Sequence, residues 1–226
     1  MCGRYTLVVN TETLGEKFGV EGPLPDLPPS FNVAPGREVA TVLSGDAGGG
    51  GGRRLEIMRW GLIPSWADDP GIGYRMINAR SETAPSKPSF RQAFKKRRCL
   101  IPADGFYEWK KENGGKQPYY FHLIDGEPFA FAGLWETWKD PDGGSILSCA
   151  ILTTEANSVV GEVHPRMPVM LPAEDHEIWL APDFEEKEPL ADLLRPYPPE
   201  AMEVYPVSRF VNRPGNDDRS CIERVA

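Results

Sequence analysis

Proline and glycine are the residues that most limit what this chain can fold into. Of its 226 residues, 23 are proline and 23 are glycine. Proline removes a backbone donor and clashes inside a helix, while glycine loses the most conformational freedom on folding. The chain is therefore expected to form short strands joined by turns, with few and short helices.

Short apolar and aromatic runs fit this expectation, because turn-forming residues separate them. Six runs are predicted to pair as hairpins: 39–43 with 55–60, 106–110 with 119–124, and 129–136 with 146–153. The connection 44–53 contains five consecutive glycines at 48–52. No helix start and no Gly-Lys-Ser/Thr follows them, so we interpret this connection as a flexible hairpin tip and not as a phosphate-binding loop.

Helical patterns are fewer than strand patterns. They cover residues 12–18, 90–96, 157–162, 174–180 and 190–194. There is no internal repeat and no convincing domain linker, so residues 1–226 are predicted to form one α+β domain. Its sheet should be mostly antiparallel and curved or barrel-like, with short peripheral helices.

The charge balance restricts how the chain could contact nucleic acid. The formal net charge is -8, whereas a protein whose main partner is duplex DNA is usually basic. Any contact must therefore use a local basic patch. The run at 95–98 could grip phosphates, but we favour the basic C-terminal end of a short helix. The acidic stretch 174–192 is expected to be solvated.

The cysteines argue against a metal site and for a reducing compartment. Cys2, Cys99, Cys149 and Cys221 form no Cys-x-x-Cys pair and have no metal-like spacing with the three histidines. No apolar signal region follows Met1, and no run of about 18 apolar residues exists. We therefore expect an intracellular, cytoplasmic protein with no metal and no membrane partner.

Cys2 is the residue whose reactivity says most about function. Its small side chain predicts removal of Met1, which would leave an α-amine and a thiol on adjacent carbons. The amine can condense with an aldehyde to an imine, and the thiol can then close a five-membered ring. Their reference pKa values of about 7.7–8.0 and about 8.5 make both nucleophiles accessible near neutral pH. The alternative is a small apolar residue in a first strand.

Two strand-like segments carry polar side chains where a sheet would otherwise bury apolar ones. In the first, extended backbone would put Asn78, Arg80 and Glu82 on one face; the alternative is a solvated face. In the second, Glu108 lies between two aromatic residues. Such a setting raises a carboxyl pKa toward the range useful for proton transfer. The alternative is a strand-edge glutamate or an arginine partner.

A histidine and two tryptophans complete the candidate residues. Pro165 biases His164 toward an extended conformation, which would place His164 and Arg166 on one side. A histidine can give or take a proton near neutral pH. Trp60 follows an apolar strand, so core packing is favoured for it. Trp66 lies in a Pro-Ser-Trp loop and is the better candidate for stacking on exposed bases.

Taken together, these segments resemble the SOS response-associated peptidase (SRAP) family. The matching pieces occur in family order: Met1-Cys2-Gly3-Arg4-Tyr5, Phe31-Asn32-Val33-Ala34-Pro35-Gly36, Trp60-Gly61-Leu62-Ile63-Pro64-Ser65-Trp66, Asn78-Ala79-Arg80-Ser81-Glu82, Pro102-Ala103-Asp104-Gly105-Phe106-Tyr107-Glu108-Trp109 and His164-Pro165-Arg166-Met167-Pro168. Several matches in one order are far more specific than any single match. The glycine-rich hairpin tip looks idiosyncratic.

The resemblance implies a sensor of abasic sites in single-stranded DNA, acting in the DNA damage response. It would form a covalent thiazolidine crosslink through the N-terminal cysteine, with abasic-site lyase activity as a side reaction. The implied catalytic residues are Cys2, Asn78, Glu108 and His164. The residues suited to contact DNA are Arg4, Trp66, Arg80, Thr153, Thr154 and Arg166.

Two other functions stay open at this point. One is a thiol peptidase, with its own Met1 among its candidate substrates, in which Cys2 is the nucleophile, His164 the base and Asn78 or Glu108 the orienting group. The other is a DNA-binding module in which Cys2 is structural. For the favoured function we expect a monomer that needs no cofactor, in the cytoplasm and on the bacterial nucleoid when bound to DNA.

Overall fold

The computed structural model describes residues 2–45, 52–112, 114–140, 143–181 and 187–225. The strands are β1 (Tyr5–Leu7), β2 (Ser30–Val33), β3 (Glu38–Ser44), β4 (Arg53–Trp60), β5 (Asn78–Arg80), β6 (Arg98–Ala103), β7 (Gly105–Glu112), β8 (Gly115–Leu123), β9 (Phe129–Lys139), β10 (Ser145–Glu155), β11 (Arg166–Pro168), β12 (Met170–Leu171) and β13 (Met202–Pro206). The α-helices are α1 (Thr11–Phe18), α2 (Arg91–Lys96), α3 (Ser158–Gly161), α4 (His176–Leu180) and α5 (Lys187–Asp192). Short 3-10 helices cover Pro70–Arg75, Ala173–Asp175, Pro199–Ala201, Arg209–Asn212 and Arg219–Cys221.

Five strands close into a barrel. Strands β10, β4, β3, β6 and β9 pair in that order, and β9 also pairs with β10. Strand β10 runs parallel to β4 and β5, and the other pairs of this sheet are antiparallel. The predicted α+β fold, with a mostly antiparallel barrel-like sheet and short helices, is confirmed.

A second sheet, with the order β13-β8-β7-β1-β2, is antiparallel throughout. Aromatic side chains fill the space between this sheet and the barrel. The ring of Tyr5 lies 5.2 Å from that of Trp60 and 5.8 Å from that of Phe131, centroid to centroid. Burying each ring stabilises the fold by about 1.5–3 kcal/mol. Trp60 is buried and its Nε1 donates to the carbonyl oxygen of Ile77 at 3.0 Å, which confirms its predicted core role.

The three predicted hairpins are present. Strands β3 and β4 pair as far as Ser44 and Arg53, so both arms of the glycine-rich hairpin are confirmed. Its tip, residues 46–51, lies outside the described part of the chain. The predicted helices correspond to α1–α5, although the segment 174–180 begins as a 3-10 turn and becomes helical at His176.

The basic run at 95–98 ends a helix, as we favoured. Lys95 and Lys96 lie in the last turn of α2. Arg98 is buried, and its Nη1 donates to the carbonyl oxygens of Phe94 and Lys95, each at 2.8 Å. Arg98 therefore satisfies carbonyl groups that the helix end leaves open.

The predicted shared face of Asn78, Arg80 and Glu82 is wrong for Glu82. Strand β5 ends at Arg80, whose carbonyl oxygen accepts from the backbone N–H of Thr83 at 3.1 Å and of Ala84 at 2.8 Å. These bonds turn the chain, so Glu82 no longer continues the strand alternation.

The four cysteines are all free and buried. Among the helices of the described ranges, none is long and apolar enough to span a membrane.

Candidate active site

Cys2 lies where the start of the chain meets strand β7. The backbone N–H of Tyr107 donates to the carbonyl oxygen of Arg4 at 3.0 Å, and Tyr5 pairs with Phe106. The same antiparallel register, continued toward the N-terminus, places Gly3 opposite Glu108. Cys2 itself is fully buried. Strand pairing thus brings the predicted nucleophile beside the predicted proton carrier.

Asn78 joins the second sheet to the barrel. It begins β5, and its Nδ2 donates to the carbonyl oxygen of Cys2 at 2.7 Å. Its Oδ1 is buried and has no hydrogen-bond partner among the described residues. Buried polar atoms are rarely left in this state. The amide therefore holds the Cys2 main chain with one end and offers a buried acceptor with the other.

Glu108 and His164 form the titratable pair of the site. Burial raises the pKa of the Glu108 carboxyl, and nearby positive charge, including that of His164, opposes this rise. Nδ1 of His164 lies 3.9 Å from Oε1 of Glu108. The same nitrogen lies 3.0 Å from the carbonyl oxygen and 3.1 Å from the amide nitrogen of Arg166. The Arg166 backbone therefore holds the ring in either tautomer.

The surroundings of Cys2 favour the thiol over the thiolate. Burial raises its pKa, and the negative charge of Glu108 raises it further. Reactive thiolates usually occur in electropositive and partly exposed surroundings. A reaction at this thiol therefore needs a group that accepts its proton, and Glu108 is the carboxylate that interacts with it.

A cleft of about 420 Å³ lies over this pair. Its lining contains Glu108 and His164, together with Arg4, Trp109, Lys116 and Asn212. Nε1 of Trp109 donates to Oδ1 of Asn212 at 2.7 Å, which ties the C-terminal part of the chain to the cleft wall.

Sequence reasoning missed three of these cleft residues. Trp109 could have been found, because it directly follows Glu108 in the same strand. Lys116 lies across the β7–β8 hairpin from Lys111, so the predicted hairpin pointed to it. Asn212 has no local signal, since it lies 103 residues beyond its partner Trp109.

The three arginines suited to bind phosphates differ in how many hydrogen bonds their side chains already make within the protein. Arg4 is half-buried, and its Nη1 donates to Oδ1 of Asn32 and to the carbonyl oxygen of Val211, each at 2.8 Å. Arg166 forms a two-pronged pair with Glu82 at 2.6 and 3.0 Å. Arg80 is exposed. A phosphate would thus meet Arg80 directly, while Arg4 and Arg166 would have to use their remaining donors.

The remaining predicted residues divide into two groups. Thr153 and Thr154 are buried at the end of β10, where Thr153 pairs with Arg80 on one side and Pro168 on the other. Oγ1 of Thr153 accepts from Nη2 of Arg166 at 3.3 Å. Trp66, in contrast, is 58% exposed and lies in the loop after β4.

The structure therefore brings Cys2, Asn78, Glu108 and His164 together, and we call these four residues the Cys2 cluster. Strands β5, β10 and β11 carry Arg80, the two threonines and Arg166 beside it. Within the described ranges, no group of three or more His, Cys, Asp or Glu side chains is placed to hold a metal ion.

Known proteins resemble this chain over its length. Abasic site processing protein YoqW of Bacillus subtilis is 44% identical over 226 residues, with 99% of each chain covered. Abasic site processing protein HMCES of Xenopus tropicalis is 34% identical, covering 87% of this chain and 66% of that one. A crystal structure of a protein from Bacteroides thetaiotaomicron superposes with a TM-score of 0.88 at 28% identity over 100% of both chains. The family model for SOS response associated peptidase (SRAP) matches residues 1–214, and the chain belongs to this family.

Proposed function

We propose that this protein recognises abasic sites in single-stranded DNA and becomes covalently linked to them through Cys2 once Met1 is removed. The observation that carries the proposal is the hydrogen bond of 2.7 Å from Asn78 to the Cys2 carbonyl, beside a buried carboxyl group. It is supported by relatives such as YoqW and HMCES, which are named abasic site processing proteins.

The chemistry follows from the two nucleophiles of an N-terminal cysteine. An abasic deoxyribose in its open form carries an aldehyde at C1′. The α-amine of Cys2 adds to C1′, and loss of one water gives an imine. The thiol then adds across the C=N bond, so that sulfur bonds to C1′ and the thiol proton ends on nitrogen. The product is a five-membered thiazolidine, and the whole sequence releases one water and needs no cofactor.

The other members of the Cys2 cluster supply proton transfer and position. His164, which faces the cleft, exchanges a proton with the sugar as its ring opens. Glu108 accepts and returns protons during imine formation and thiol addition, for which a raised pKa is suitable. Asn78 orients the Cys2 main chain, and its buried Oδ1 accepts a hydrogen bond from the sugar. Arg80 contacts a neighbouring phosphate.

A lyase side reaction follows from the same imine. An imine at C1′ makes the C2′ proton acidic, so a base can remove it and expel the 3′ phosphate by β-elimination. Capture by the Cys2 thiol removes the imine and competes with this step. We therefore infer that capture dominates while the thiol is present.

The second candidate is a thiol peptidase that releases its own Met1, with Cys2 as nucleophile and His164 as base. The word peptidase in the description of the family supports this candidate. The raised thiol pKa does not separate the two candidates, because each needs a base that takes the thiol proton before sulfur attacks. We further propose that the protein acts as a monomer in the bacterial cytoplasm, at the nucleoid when bound to DNA.

The test uses protein whose mature Cys2 N-terminus has been verified by intact mass. It is mixed with a single-stranded oligonucleotide carrying one abasic site and with a control carrying an unreactive tetrahydrofuran spacer. We expect a heat-stable shifted band on a denaturing gel with the first DNA alone. The mass of this adduct should equal protein plus DNA minus one water.

Cys2→Ser separates the two candidate functions, because it keeps the α-amine and loses the thiol. Crosslinking predicts an imine that borohydride traps and no heat-stable adduct without it. A peptidase predicts loss of Met1 release and no DNA adduct from either protein. If mature wild-type protein gives no shifted band with the abasic oligonucleotide, the proposed function is wrong.

A further inference from the structure

The cleft over the Cys2 cluster has a second wall, which is made by Trp109, Lys116 and Asn212. Because successive residues of a strand point to opposite faces, Trp109 lies on the other face of the second sheet from Glu108. Lys116 is the diagonal neighbour of Trp109 on that face, since Trp109 pairs with Pro118. The cleft is lined from both faces, so it reaches from the titratable pair to this second wall.

Lys116 is an exposed cation in a positively charged part of the surface. Directly across the β7–β8 hairpin from it lies Lys111, which is also exposed. The guanidinium of Arg209 lies beside the neighbouring Gly115, because a Cβ atom there would be 3.8 Å from both Nη atoms. Like charges opposite one another on a sheet are unfavourable, and no described carboxyl group forms an ion pair with Lys116. The arrangement therefore favours the binding of an anion.

Asn212 adds a hydrogen-bond donor of fixed polarity to this wall. The indole N–H of Trp109 can only donate, so Oδ1 of Asn212 accepts it and Nδ2 is the amide atom that remains for a ligand. The backbone here is also held, because Nη1 of Arg4 donates to the carbonyl oxygen of Val211 at 2.8 Å and Nη2 to that of Asn212 at 3.4 Å. A donor that is already ordered loses little entropy when it binds.

The chemistry of the second wall defines its ligand. The ammonium group of Lys116 and the amide NH₂ of Asn212 both donate, and the one acceptor that Asn212 has is used by Trp109. A DNA phosphate brings negative charge and several acceptor oxygens, and lysine and asparagine side chains are among the groups that bind it. The aldehyde carbon must meet Cys2 on the first wall, so the group nearest the second wall is a phosphate that adjoins the sugar.

We propose that Lys116 and Asn212 bind one backbone phosphate next to the abasic sugar that reacts with Cys2. The inference rests on the proposed function, which supplies the DNA strand. Arg80 lies in a strand of the barrel sheet, whereas Lys116 lies in the second sheet. Phosphates bound at these two places hold the strand on both sides of the Cys2 cluster and keep C1′ near the Cys2 amine.

The first experiment measures noncovalent binding to single-stranded DNA with one tetrahydrofuran spacer, by fluorescence anisotropy at several salt concentrations. We expect Lys116→Gln to weaken binding about fivefold and to reduce the slope of log affinity against log salt by about 0.7. Lys111→Gln is the matched control, because Lys111 is exposed on the same hairpin but does not line the cleft. It should stay within about twofold of wild type. Equal effects of both variants would show general attraction and overturn the subsite.

The second experiment separates a ligand contact of Asn212 from a structural role. Asn212→Asp keeps an acceptor for Trp109 but replaces the donor with a carboxylate, which repels a phosphate. We expect it to weaken binding about 10-fold, more than the loss of about threefold from Asn212→Ala. If Asn212→Asp binds the spacer DNA as tightly as wild type, Asn212 acts only through Trp109 and its donor role is wrong.

The third experiment identifies the phosphate. An uncharged methylphosphonate replaces the phosphate on the 5′ side of the spacer, and in a second oligonucleotide the phosphate on the 3′ side. The effect of Lys116→Gln should disappear on one of these DNAs and persist on the other, as in a double-mutant cycle. An effect of the same size on both would overturn the proposed contact.

Failure of this inference is distinct from failure of the proposed function. If wild-type protein forms the adduct with a natural abasic site but Lys116→Gln binds spacer DNA as tightly as wild type, the phosphate subsite alone is wrong. If wild-type protein forms no adduct, the crosslinking function is wrong, and the subsite as proposed, beside a sugar that reacts with Cys2, is wrong with it.

Discussion

Two polar regions lie on either side of strand β1, and they differ in how completely their hydrogen bonds are made. The first is the Cys2 cluster. The second, which we call the C-terminal clamp, consists of Arg4, Asn32 and Asp217. Oδ1 of Asn32 accepts from Arg4, and its Nδ2 donates to three carbonyl oxygens between 2.7 and 3.1 Å away. In the Cys2 cluster, the buried Oδ1 of Asn78 has no partner among the residues that the structure describes. A satisfied network stabilises the fold, whereas an unsatisfied buried acceptor indicates a place for a ligand.

The carboxyl groups of the two regions show the same contrast. Burial raises the pKa of Glu108 in the Cys2 cluster. In the clamp, burial acts in the same direction on Asp217, but hydrogen bonds from Arg37, Ser30 and the backbone N–H of Phe31 outweigh it and lower the pKa. The surroundings therefore favour the protonated form of Glu108 and the ionised form of Asp217.

The largest expected effect is on rate, from Glu108→Gln. The substituted amide would keep the shape of the side chain but could not carry protons, and general acid–base catalysis contributes about 10²–10⁴-fold. We expect adduct formation to slow about 1,000-fold in single-turnover gel assays, with little change in Kd for spacer-containing DNA. Equal losses of rate and binding would show that Glu108 supports the structure and does not transfer protons.

The next effect is on stability, from Asn32→Ala in the clamp. The substitution leaves several buried carbonyl groups and Arg4 without their partner, and each such loss costs about 1–3 kcal/mol. We expect the free energy of unfolding to fall by about 3 kcal/mol, measured by urea denaturation at an unchanged m value. Adduct formation per folded molecule should stay within about threefold of wild type. A large rate loss at full stability would place the clamp in the chemistry and break the comparison.

The sequence was sufficient for the hairpins but not for the closure of the barrel. Alternating apolar residues and turn signals are local, so the strands that became β3 and β4 could be bounded within two residues. Closure depends on β10, which pairs with β9 on one side and with β4 and β5 on the other. No local pattern encodes a register between strands so far apart.

The site shows the same limit. The Cys2 cluster could be named from residue types and motif order, because reactive groups are rare and recognisable in a sequence. The hydrogen bonds that the arginines already make within the protein could not be predicted from the sequence. Arg166 pairs with Glu82, 84 residues away, and Arg4 reaches Val211, 207 residues away. The same guanidinium can bind phosphate or a protein group, and only the fold decides which partner is near.

A third prediction uses the opposite pKa shifts. Above the ordinary carboxyl pKa of 4.5, folded Glu108 binds more protons than unfolded Glu108, so its contribution to stability falls as pH rises toward its raised pKa. Glu108→Gln removes this loss, and its stability relative to wild type should increase between about pH 4 and about pH 7. Asp217 is the reverse, since its stabilisation is present above its ordinary pKa of 3.8 and is lost as pH falls toward its lowered pKa.

The matched variant for this test is Asp217→Asn. It should destabilise the protein more at about pH 7 than at about pH 3, because below the ordinary pKa of 3.8 the unfolded wild-type carboxyl takes up a proton more readily than the folded one, so the wild type loses part of its advantage. Urea denaturation of both variants across this pH range measures the two trends. If both trends have the same sign, the two carboxyl groups do not have the separate roles assigned to them.

The smallest expected effects come from two exposed arginines, one beside each region. Arg80 adjoins the Cys2 cluster, whereas Arg37 forms an ion pair of 2.7 Å with Asp217 in the clamp. Each phosphate contact contributes about 0.7 to the slope of log affinity against log salt for single-stranded DNA. Arg80→Gln should therefore reduce the steepness of that slope by about 0.7 and leave stability unchanged. Arg37→Gln should leave the slope unchanged and lower the free energy of unfolding by less than about 1 kcal/mol, as expected for an exposed ion pair. If Arg37→Gln changes the salt slope and Arg80→Gln does not, the DNA backbone lies over the clamp and not beside the Cys2 cluster.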